Sequence, residues 1–574
     1  MPIHNADIAD LLDQVADLLE IQDANPFRVR AYRNSARTVR DLGRDIKEMV
    51  EAGEDLSRLP SVGEDIAEKI AEIVETGHLG QLDELRQEVP PALAELLEIS
   101  GLGPKRVSTL YRELGVRSRE DLYEACQQGR VHELSGFGKK TEENIMHALE
   151  EALTTTRRFK LAIAVQYTDD LVAYLEASQG VHRVEIAGSY RRAKETVGDL
   201  DILVTADIDS PVMDRFVAYD EVDEVASQGE TRATVILRAG LQVDLRVVEE
   251  AAFGAALHYF TGSKAHNIAV RRLGQQRGLK INEYGVFRDD QRVAGRSEEE
   301  VYAAVDLPFI APELREDSGE IEAAQHGKLP RLVELADLRG DLHCHTNATD
   351  GRNSLREMVQ AAREEGLDYL AITDHSQRLR VAKGQDRSHV LAQLEEIQAL
   401  DEELADFTVM AGTEVDILPD GSLDLPDEVL ARLDVVIAAV HSEFDLPRQR
   451  QTERLLRALD NRYVGILAHP SGRLIQEREA YDVDMGRIIR AARDGVRCLE
   501  LDASPERLDL DDVHCRMARD EGVLVSIDSD AHHTLGFGNL RFGIGQARRG
   551  WLGPNDVLNT RSAQEVRRLL TSQR

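Results

Sequence analysis

From residue 338 to 574 short apolar runs alternate with helical stretches, and the runs end near His345, His375, Glu414, His441, His469, Asp502 and Asp530. Seven strand-then-helix repeats leave few architectures open. The pattern predicts a distorted (β/α)7 barrel, whose chemistry gathers where the C-terminal ends of the strands meet. Asp341-Leu-His343-Cys-His345 puts two imidazoles on one strand face with Asp350 just beyond. His375, Glu414, His441, His469, Asp530 and His532 then arrive at later strand ends. One histidine at a strand end is usually a hydrogen-bonded structural residue. Six histidines and three carboxylates at the same end point to metal, because so many buried polar groups without compensation would be costly. Nitrogen and oxygen donors without thiolate suit Mn²⁺ or Zn²⁺, and nine ligands suffice for two or three ions. Clustered ions acidify a bound water for attack on a phosphodiester. Cys344 faces away from its neighbours and reads as a core residue.

The N-terminal part carries a different repeat. Leu59-Pro-Ser-Val62-Gly63, Ile99-Ser-Gly101-Leu-Gly103 and Leu134-Ser-Gly136-Phe-Gly138 each precede a polar, helix-forming run. This is the pattern of a helix-hairpin-helix. A tight glycine turn lets backbone N–H groups at the second helix approach a phosphate without side-chain obstruction, whatever the base sequence. Val62, Gly63, Gly101, Gly103, Gly136 and Gly138 are therefore candidate DNA-phosphate contacts. The competing reading is three helical hairpins that merely pack together, and three copies make it the weaker one.

Between these regions, from about residue 160, the segments Val184–Ala187, Leu200–Thr205, Ala233–Leu237 and Gln242–Val248 read as strands. Gly188-Ser189 opens a turn, and Asp199 and Asp201 share one face of the strand that follows. Asp244 lies on a strand able to run alongside. Three carboxylates so placed can hold two Mg²⁺ or Mn²⁺ ions about 4 Å apart, one at an attacking oxygen and one at the leaving phosphates. The Gly-Ser element can hold a triphosphate through backbone N–H groups and the Ser189 hydroxyl.

Net charge alone argues against a nucleic-acid partner: 70 basic residues, of which 11 are lysine, face 105 acidic ones for a formal charge of −35. The motifs overrule it. Acidity spread along the chain, with so little lysine, fits a halophilic host whose cytoplasm screens self-repulsion. The acidic N-terminus has no secretory signal, and the run Val435–Val440 is too short to span a membrane. These features predict a cytoplasmic protein. Cys126, Cys344, Cys498 and Cys515 show no CxxC spacing and read as reduced thiols.

Over residues 1–315 the sequence resembles the family X DNA polymerases, through Gly188-Ser189, Asp199-Leu-Asp201, Asp244, Tyr259-Phe-Thr-Gly-Ser263, Asn267 and Ile281-Asn-Glu-Tyr284. The resemblance implies that Asp199, Asp201 and Asp244 are catalytic metal ligands. It also implies that Ser189, Arg192 and Gly198 contact the incoming triphosphate, Tyr259 and Phe260 check its sugar, and Gly262 and Asn267 face base and groove. Lys264 stands where animal relatives carry an acidic residue, and Gln242 where they carry an arginine near the primer end. Residues 338–574 look like the PHP domain, named for polymerase and histidinol phosphatase. All nine of its ligand positions are filled here, which favours a working hydrolase.

The expected architecture is multidomain, α and α/β. A helical domain spans 1–80 and a second helical DNA-binding domain 81–158. A polymerase beta-like nucleotidyltransferase palm spans 159–250 and a nucleotide-selection subdomain 251–315. A linker rich in charge, proline and glycine covers 316–337, and the PHP barrel spans 338–574. The expected protein is a monomeric repair polymerase from a halophilic archaeon that fills short gaps in gapped or nicked DNA with dNTPs. It would also carry a metal-dependent 3′–5′ exonuclease. The enzymatic rival is a phosphoesterase, cutting abasic sites or removing 3′ phosphates, whose N-terminal part only delivers DNA. The non-enzymatic rival, a gap-binding scaffold, has no use for nine metal ligands. Lys69, in the first hairpin, matches the Schiff-base lysine of beta-like relatives that are 5′-deoxyribose-phosphate lyases, with Tyr32 and Arg28 at neighbouring pocket positions. A lysine attacks an aldehyde only when neutral, and the flanking Glu64, Asp65 and Glu68 would raise its pKa.

Overall fold

The computed structural model describes residues 5–571 except 23, 41, 43–45, 60, 89–92, 94–95, 97–98, 100–101, 135 and 153–157. Gly101 therefore lies outside the described residues. Two compact units divide the chain, residues 1–158 with 238–241, and 159–237 with 242–574.

The first unit is helical. Asn5–Ile21 and Pro26–Arg40 pack as an antiparallel-type pair through Ile8, Leu12, Val15, Val29, Ala36 and Val39. Arg33 clamps Asp17 and Glu20, and Arg40 clamps Asp10 and Asp13, on the same pair. Gly63 and Gly103 are the N-caps of the helices Glu64–Thr76 and Pro104–Leu114, and Gly138 precedes Lys139–Ala152. Gly63 and Gly103 have φ of −80° and −83°, which any residue adopts, and a Cβ at either would meet nothing within 4 Å. Neither backbone conformation nor internal packing demands glycine there. Both positions are exposed, so a side chain there would point into open space.

In the second unit a five-stranded sheet runs in the order Val181–Ile186, Asp199–Ala206, Gln242–Val247, Arg232–Leu237, Val222–Gln228. Only the Asp199–Ala206 and Gln242–Val247 pair is parallel, and its register sets Asp201 opposite Asp244. The edge strand Val222–Gln228 escaped the sequence pattern because nearly all its residues are exposed. Tyr259 and Phe260 lie on the helix Phe253–Thr261, which ends at Gly262. A three-stranded antiparallel sheet, Lys280–Asn282, Gly285–Arg288 and Gln291–Ala294, follows.

Residues 316–337, expected to link loosely, are packed. Glu320 and the adjoining Arg315 are fully buried, and Leu314, Ala324 and Leu332 share a core with Trp551 near the end of the chain. Composition misleads here because the charges are paired: Arg315 with Glu298, and Glu320 with His266 at 2.6 Å.

The seven predicted barrel strands are all present: Gly340–Asp341, Tyr369–Ile372, Thr408–Asp416, Val435–Ala439, Ile466–Leu467, Cys498–Asp502 and Val525–Asp528. They pair in parallel in chain order, and a bridge between Cys344 and Ala531 brings the two edges together. Both faces of each strand are buried. Leu370, Ile372, Val409 and Val436 pack among the surrounding helices, while Tyr369, Ala371, Met410, Val435 and Ile437 pack with Val566 and Leu570 of the last helix, Ala563–Thr571. A two-sided apolar strand is what a parallel barrel requires.

Candidate active sites

At the C-terminal ends of the barrel strands the nine sequence-predicted ligands converge. His345, Asp350, His375 and His532 offer ligand atoms all within 4.8 Å of one another, as do His343, His345 and Asp530, and His375, Glu414 and His441. His469 Nε2 lies 3.1 Å from Glu414 Oε1 and completes the set. His345 Nε2 also bonds Asp530 Oδ1 at 3.1 Å, but other polar atoms of the cluster are close without being satisfied. Glu414 Oε2 is 2.7 Å from His375 Nδ1, yet it makes no hydrogen bond, and neither do the buried His343 Nε2 and His345 Nδ1. Orphaned lone pairs aimed into one space fit divalent cations, and three overlapping ligand groups fit two or three of them.

Protonation is divided across the cluster: burial opposes charge on His375, His441 and His532, but the carboxylates Glu414, Asp350, Asp416 and Asp530 around them outweigh it and raise all three. Burial and the neighbouring His532 and His375 push His345 down to about 4, and burial with the Arg507 charge does the same to His469. Neutral imidazole is the form that binds a metal. Burial also opposes charge on His343, but Glu500, Asp530 and Glu414 outweigh it and raise its pKa.

Three carboxylates that the sequence pattern did not single out orient these ligands. Glu500 Oε1 is 2.5 Å from His343 Nδ1, and its Oε2 accepts from the His469 backbone N–H at 2.7 Å. Asp416 Oδ1 lies 3.1 Å from His441 Nδ1. Asp374 accepts from Thr346 N, Thr346 Oγ1, Thr349 Oγ1 and Gln393 Nε2, which fixes the loop leading to Asp350. Such partners set the imidazole tautomer and leave the other nitrogen for metal. A signal for Glu500 was present, since Cys498-Leu-Glu500-Leu-Asp502 alternates and the strand's end had been marked by Asp502. Asp502 itself lies outside the three ligand groups among the described residues: it is fully buried and 3.3 Å from Arg507. Cys344 is a core residue, its thiol donating to Ala371 O.

The palm brings Asp199, Asp201 and Asp244 to one end of the parallel pair. Asp199 is exposed, Asp201 half-buried and Asp244 buried. Burial, with the charges of Asp199 and Asp244, pushes Asp201 up to about 7. Asp244 is held ionised instead. Burial raises its pKa, but Thr234 Oγ1 at 2.7 Å, Gln242 Nε2 at 2.8 Å and Arg232 Nη2 at 3.1 Å outweigh it. Gln242 thus supplies a hydrogen bond, and the cation near Asp244 comes from Arg232 on the neighbouring strand. Gly188 has φ +65°, and a Cβ there would sit 3.0 Å from Asp201 Oδ2, so only glycine lets the turn lie against the carboxylate.

The other nucleotide-site candidates surround this end of the sheet. Ser189 sits in the short helix Gly188–Arg191, and Gly198 immediately precedes Asp199. Arg192 is turned to protein acceptors, Glu316 at 2.9 Å and Thr261 O at 2.7 Å. Arg549, near the chain end, also reaches Glu316 at 3.0 Å. Tyr259 and Phe260 meet edge to face at 5.1 Å, and Arg246 stacks on Phe260. Asn267 Nδ2 donates to Tyr259 O and Gly262 O and braces the turn, while its buried Oδ1 has no partner.

In the helical unit Lys69 Nζ is 2.5 Å from Asp65 Oδ1. Burial lowers its pKa, but the Asp65 hydrogen bond and the charges of Tyr32 and Asp65 more than offset this and raise it.

Comparison with known proteins agrees with this layout. Family matches are a helix-hairpin-helix domain at residues 3–79, a SAM-like helix-hairpin-helix tandem at 93–151, the DNA polymerase beta palm at 164–242, the DNA polymerase beta thumb at 256–316 and the PHP domain at 341–491. DNA polymerase lambda of Rattus norvegicus is 27% identical over 345 residues, 54% of this chain and 56% of its own. A probable phosphatase of Thermoanaerobacter sp. (strain X514) is 26% identical over 231 residues, 38% of this chain and 89% of its own. The DNA polymerase/3′–5′ exonuclease PolX of Bacillus subtilis (strain 168) is 40% identical over 572 residues, 99% of both chains. With helix-hairpin-helix, palm, thumb and barrel all in place along that full-length match, the chain belongs to the PolX family, the family X DNA polymerases that carry a C-terminal PHP domain.

Proposed function

We propose that the chain is a DNA polymerase that fills short gaps with dNTPs and trims 3′ ends with its barrel. The observation that carries this reading is the coexistence of two complete acidic or imidazole sites in one chain, the palm trio and the nine-ligand barrel cluster. Asp199, Asp201 and Asp244 would hold Mg²⁺ or Mn²⁺, and the nine barrel residues two or three Mn²⁺ or Zn²⁺. Divalent ions at such positions supply charge neutralisation and acidify water. The chain's own groups do the rest. Asp244, ionised and fixed by Thr234, Gln242 and Arg232, keeps an acceptor aimed at the reacting end. Glu500 and Asp416 hold His343 and His441 with a nitrogen free for metal. Gly188-Ser189 presents backbone N–H groups and a hydroxyl to a triphosphate, and Arg192 reaches it by leaving Glu316. The hairpin glycines Gly63, Gly103, Gly136 and Gly138 would offer N–H groups to DNA phosphates; Val62, expected to do the same, is buried and its N–H is donated to Leu59 O at 3.2 Å.

A monomer working in a halophilic, archaeal cytoplasm is part of the proposal. It rests on the lysine-poor acidic composition; the relatives matched, from Bacillus, Thermoanaerobacter and rat, add nothing to it. Among the described residues no helix is long and apolar enough to cross a membrane. A gel assay on gapped DNA, with and without dNTPs and with Mg²⁺ or Mn²⁺, tests the reading. Extension with dNTPs and 3′ shortening without them are expected. Cleavage at abasic sites without any extension would instead favour a phosphoesterase served by a DNA-delivering N-terminal part.

A further inference from the structure

Directly after the barrel ligand His375 the chain makes a compact loop, residues 376–387, whose charge runs against the rest of the molecule. In a chain of formal charge −35, this stretch carries Arg378, Arg380, Lys383 and Arg387 against the single carboxylate Asp386. Asp386 is committed to capping the helix Arg387–Glu403, and Arg387 pairs with Glu428. Arg378, Arg380 and Lys383 are exposed, and their charged groups make no ion pair among the described residues, while the Arg378 backbone N–H donates to Asp424 Oδ2 at 2.8 Å. Between them Val381 is 96% exposed, an apolar side chain held out at the tip of the loop.

The base of the loop is fastened to the metal-ligand cluster. Gln385 N donates to His375 O at 2.8 Å, and Ser376 N donates to Glu414 O at 3.0 Å. Ser376 Oγ accepts from the backbone N–H of Asp416, whose carboxylate orients His441. Ser376 and Gln385 bridge as parallel strands, and Gly384 lies so close to Ser376 O that a Cβ would fall 1.9 Å from it. The closure therefore cannot loosen without disturbing His375 and Glu414. Three unpaired cations and one apolar tip are thus carried on a mount that begins and ends at the catalytic ligands.

Self-repulsion from the acidic surface keeps a polyanion away at long range, so a strand reaching the barrel needs local cations to hold it. Exposed cations interleaved with an apolar side chain match single-stranded DNA, which offers phosphates and unstacked bases together. We propose that the loop 376–387 guides the single-stranded 3′ end into the barrel, Arg378, Arg380 and Lys383 holding backbone phosphates while Val381 packs against a base. The proposal rests on the exonuclease reading above and adds the element that delivers its substrate.

The test uses the full-length enzyme with Mn²⁺ and two substrates, a 5′-labelled single-stranded oligonucleotide and the small diester bis(p-nitrophenyl) phosphate. The triple variant Arg378→Ala, Arg380→Ala, Lys383→Ala should lose at least about tenfold in kcat/KM on the oligonucleotide, through KM. Its hydrolysis of the small diester should stay within about twofold of wild type. The slope of log kcat/KM against log salt should shrink by about two, since each phosphate contact on a single strand contributes about 0.7. Val381→Ser should raise the oligonucleotide KM alone. Unchanged oligonucleotide kinetics and salt slope overturn the proposal. So does an equal loss on both substrates, which makes the loop a support for the metal cluster. If wild type cleaves the small diester but leaves 3′ ends intact, the exonuclease reading falls and takes the loop's role with it.

Discussion

Asp201 and Asp244 stand directly opposite one another on adjacent parallel strands. The two like charges are handled unequally: Asp244 is buried and hydrogen-bonded as the anion, while Asp201 is pushed up to about 7 by burial and by the Asp199 and Asp244 charges. A carboxylate whose folded pKa is raised destabilises the fold wherever it is ionised. The penalty is absent below its unfolded pKa near 4, grows as pH rises, and is complete above about 7. Asp201→Asn should therefore raise the melting temperature of the metal-free protein at pH 8 and have little effect at pH 4. The same change should lower gap filling by at least about 10³-fold, the scale of several kcal/mol of lost charge stabilisation. A mutant that extends primers at the wild-type rate would place the polymerase site elsewhere.

The barrel should fail independently of the palm. His343→Ala with His345→Ala removes one ligand found in two of the three groups and a second from one of them, and should stop 3′–5′ degradation while gap filling continues. Glu500→Gln touches no metal position, yet it weakens the acceptor that orients His343. A loss of about 10- to 100-fold in metal affinity or nuclease rate is expected, read by calorimetry with Mn²⁺ and by primer shortening.

Lys69 is held as an ammonium by Asp65. Its raised pKa means that deprotonation, and with it attack on a sugar aldehyde, is displaced to higher pH. Borohydride trapping on an incised abasic substrate should be weak at pH 7 and increase toward pH 9. Asp65→Asn removes the carboxylate, lowers the lysine pKa and should increase trapping at pH 7. An adduct that survives Lys69→Ala rejects the assignment.

Screening should stabilise so acidic a chain. Folding and activity are expected to persist in molar KCl, with the melting temperature rising from dilute buffer to about 1 M salt. Maximal stability in dilute buffer, with DNA binding lost by about 0.2 M salt as for ordinary DNA-binding proteins, would sink the halophilic reading.

The convergence of the candidate metal ligands was legible in the sequence because a barrel strand has period two and its chemistry gathers at its C-terminal end, so His343, His345, His375, Glu414, His441 and His469 announce themselves one strand at a time. The hairpin glycines were legible for a similar reason: turn, glycine and helix start are adjacent in the chain. Tertiary structure decided what no local pattern carries. Glu500 reaches His343 across 157 residues, and Arg549 reaches Glu316 across 233. Residues 316–337 look like a linker by composition, yet Glu320, Ala324, Leu332 and Val333 are buried, and the partner that neutralises Glu320, His266, lies far away in sequence. Residue type and spacing determine which groups can bind metal or phosphate. Which of them are neutral, oriented or already paired depends on burial and on long-range neighbours, and both exist only once the chain has folded.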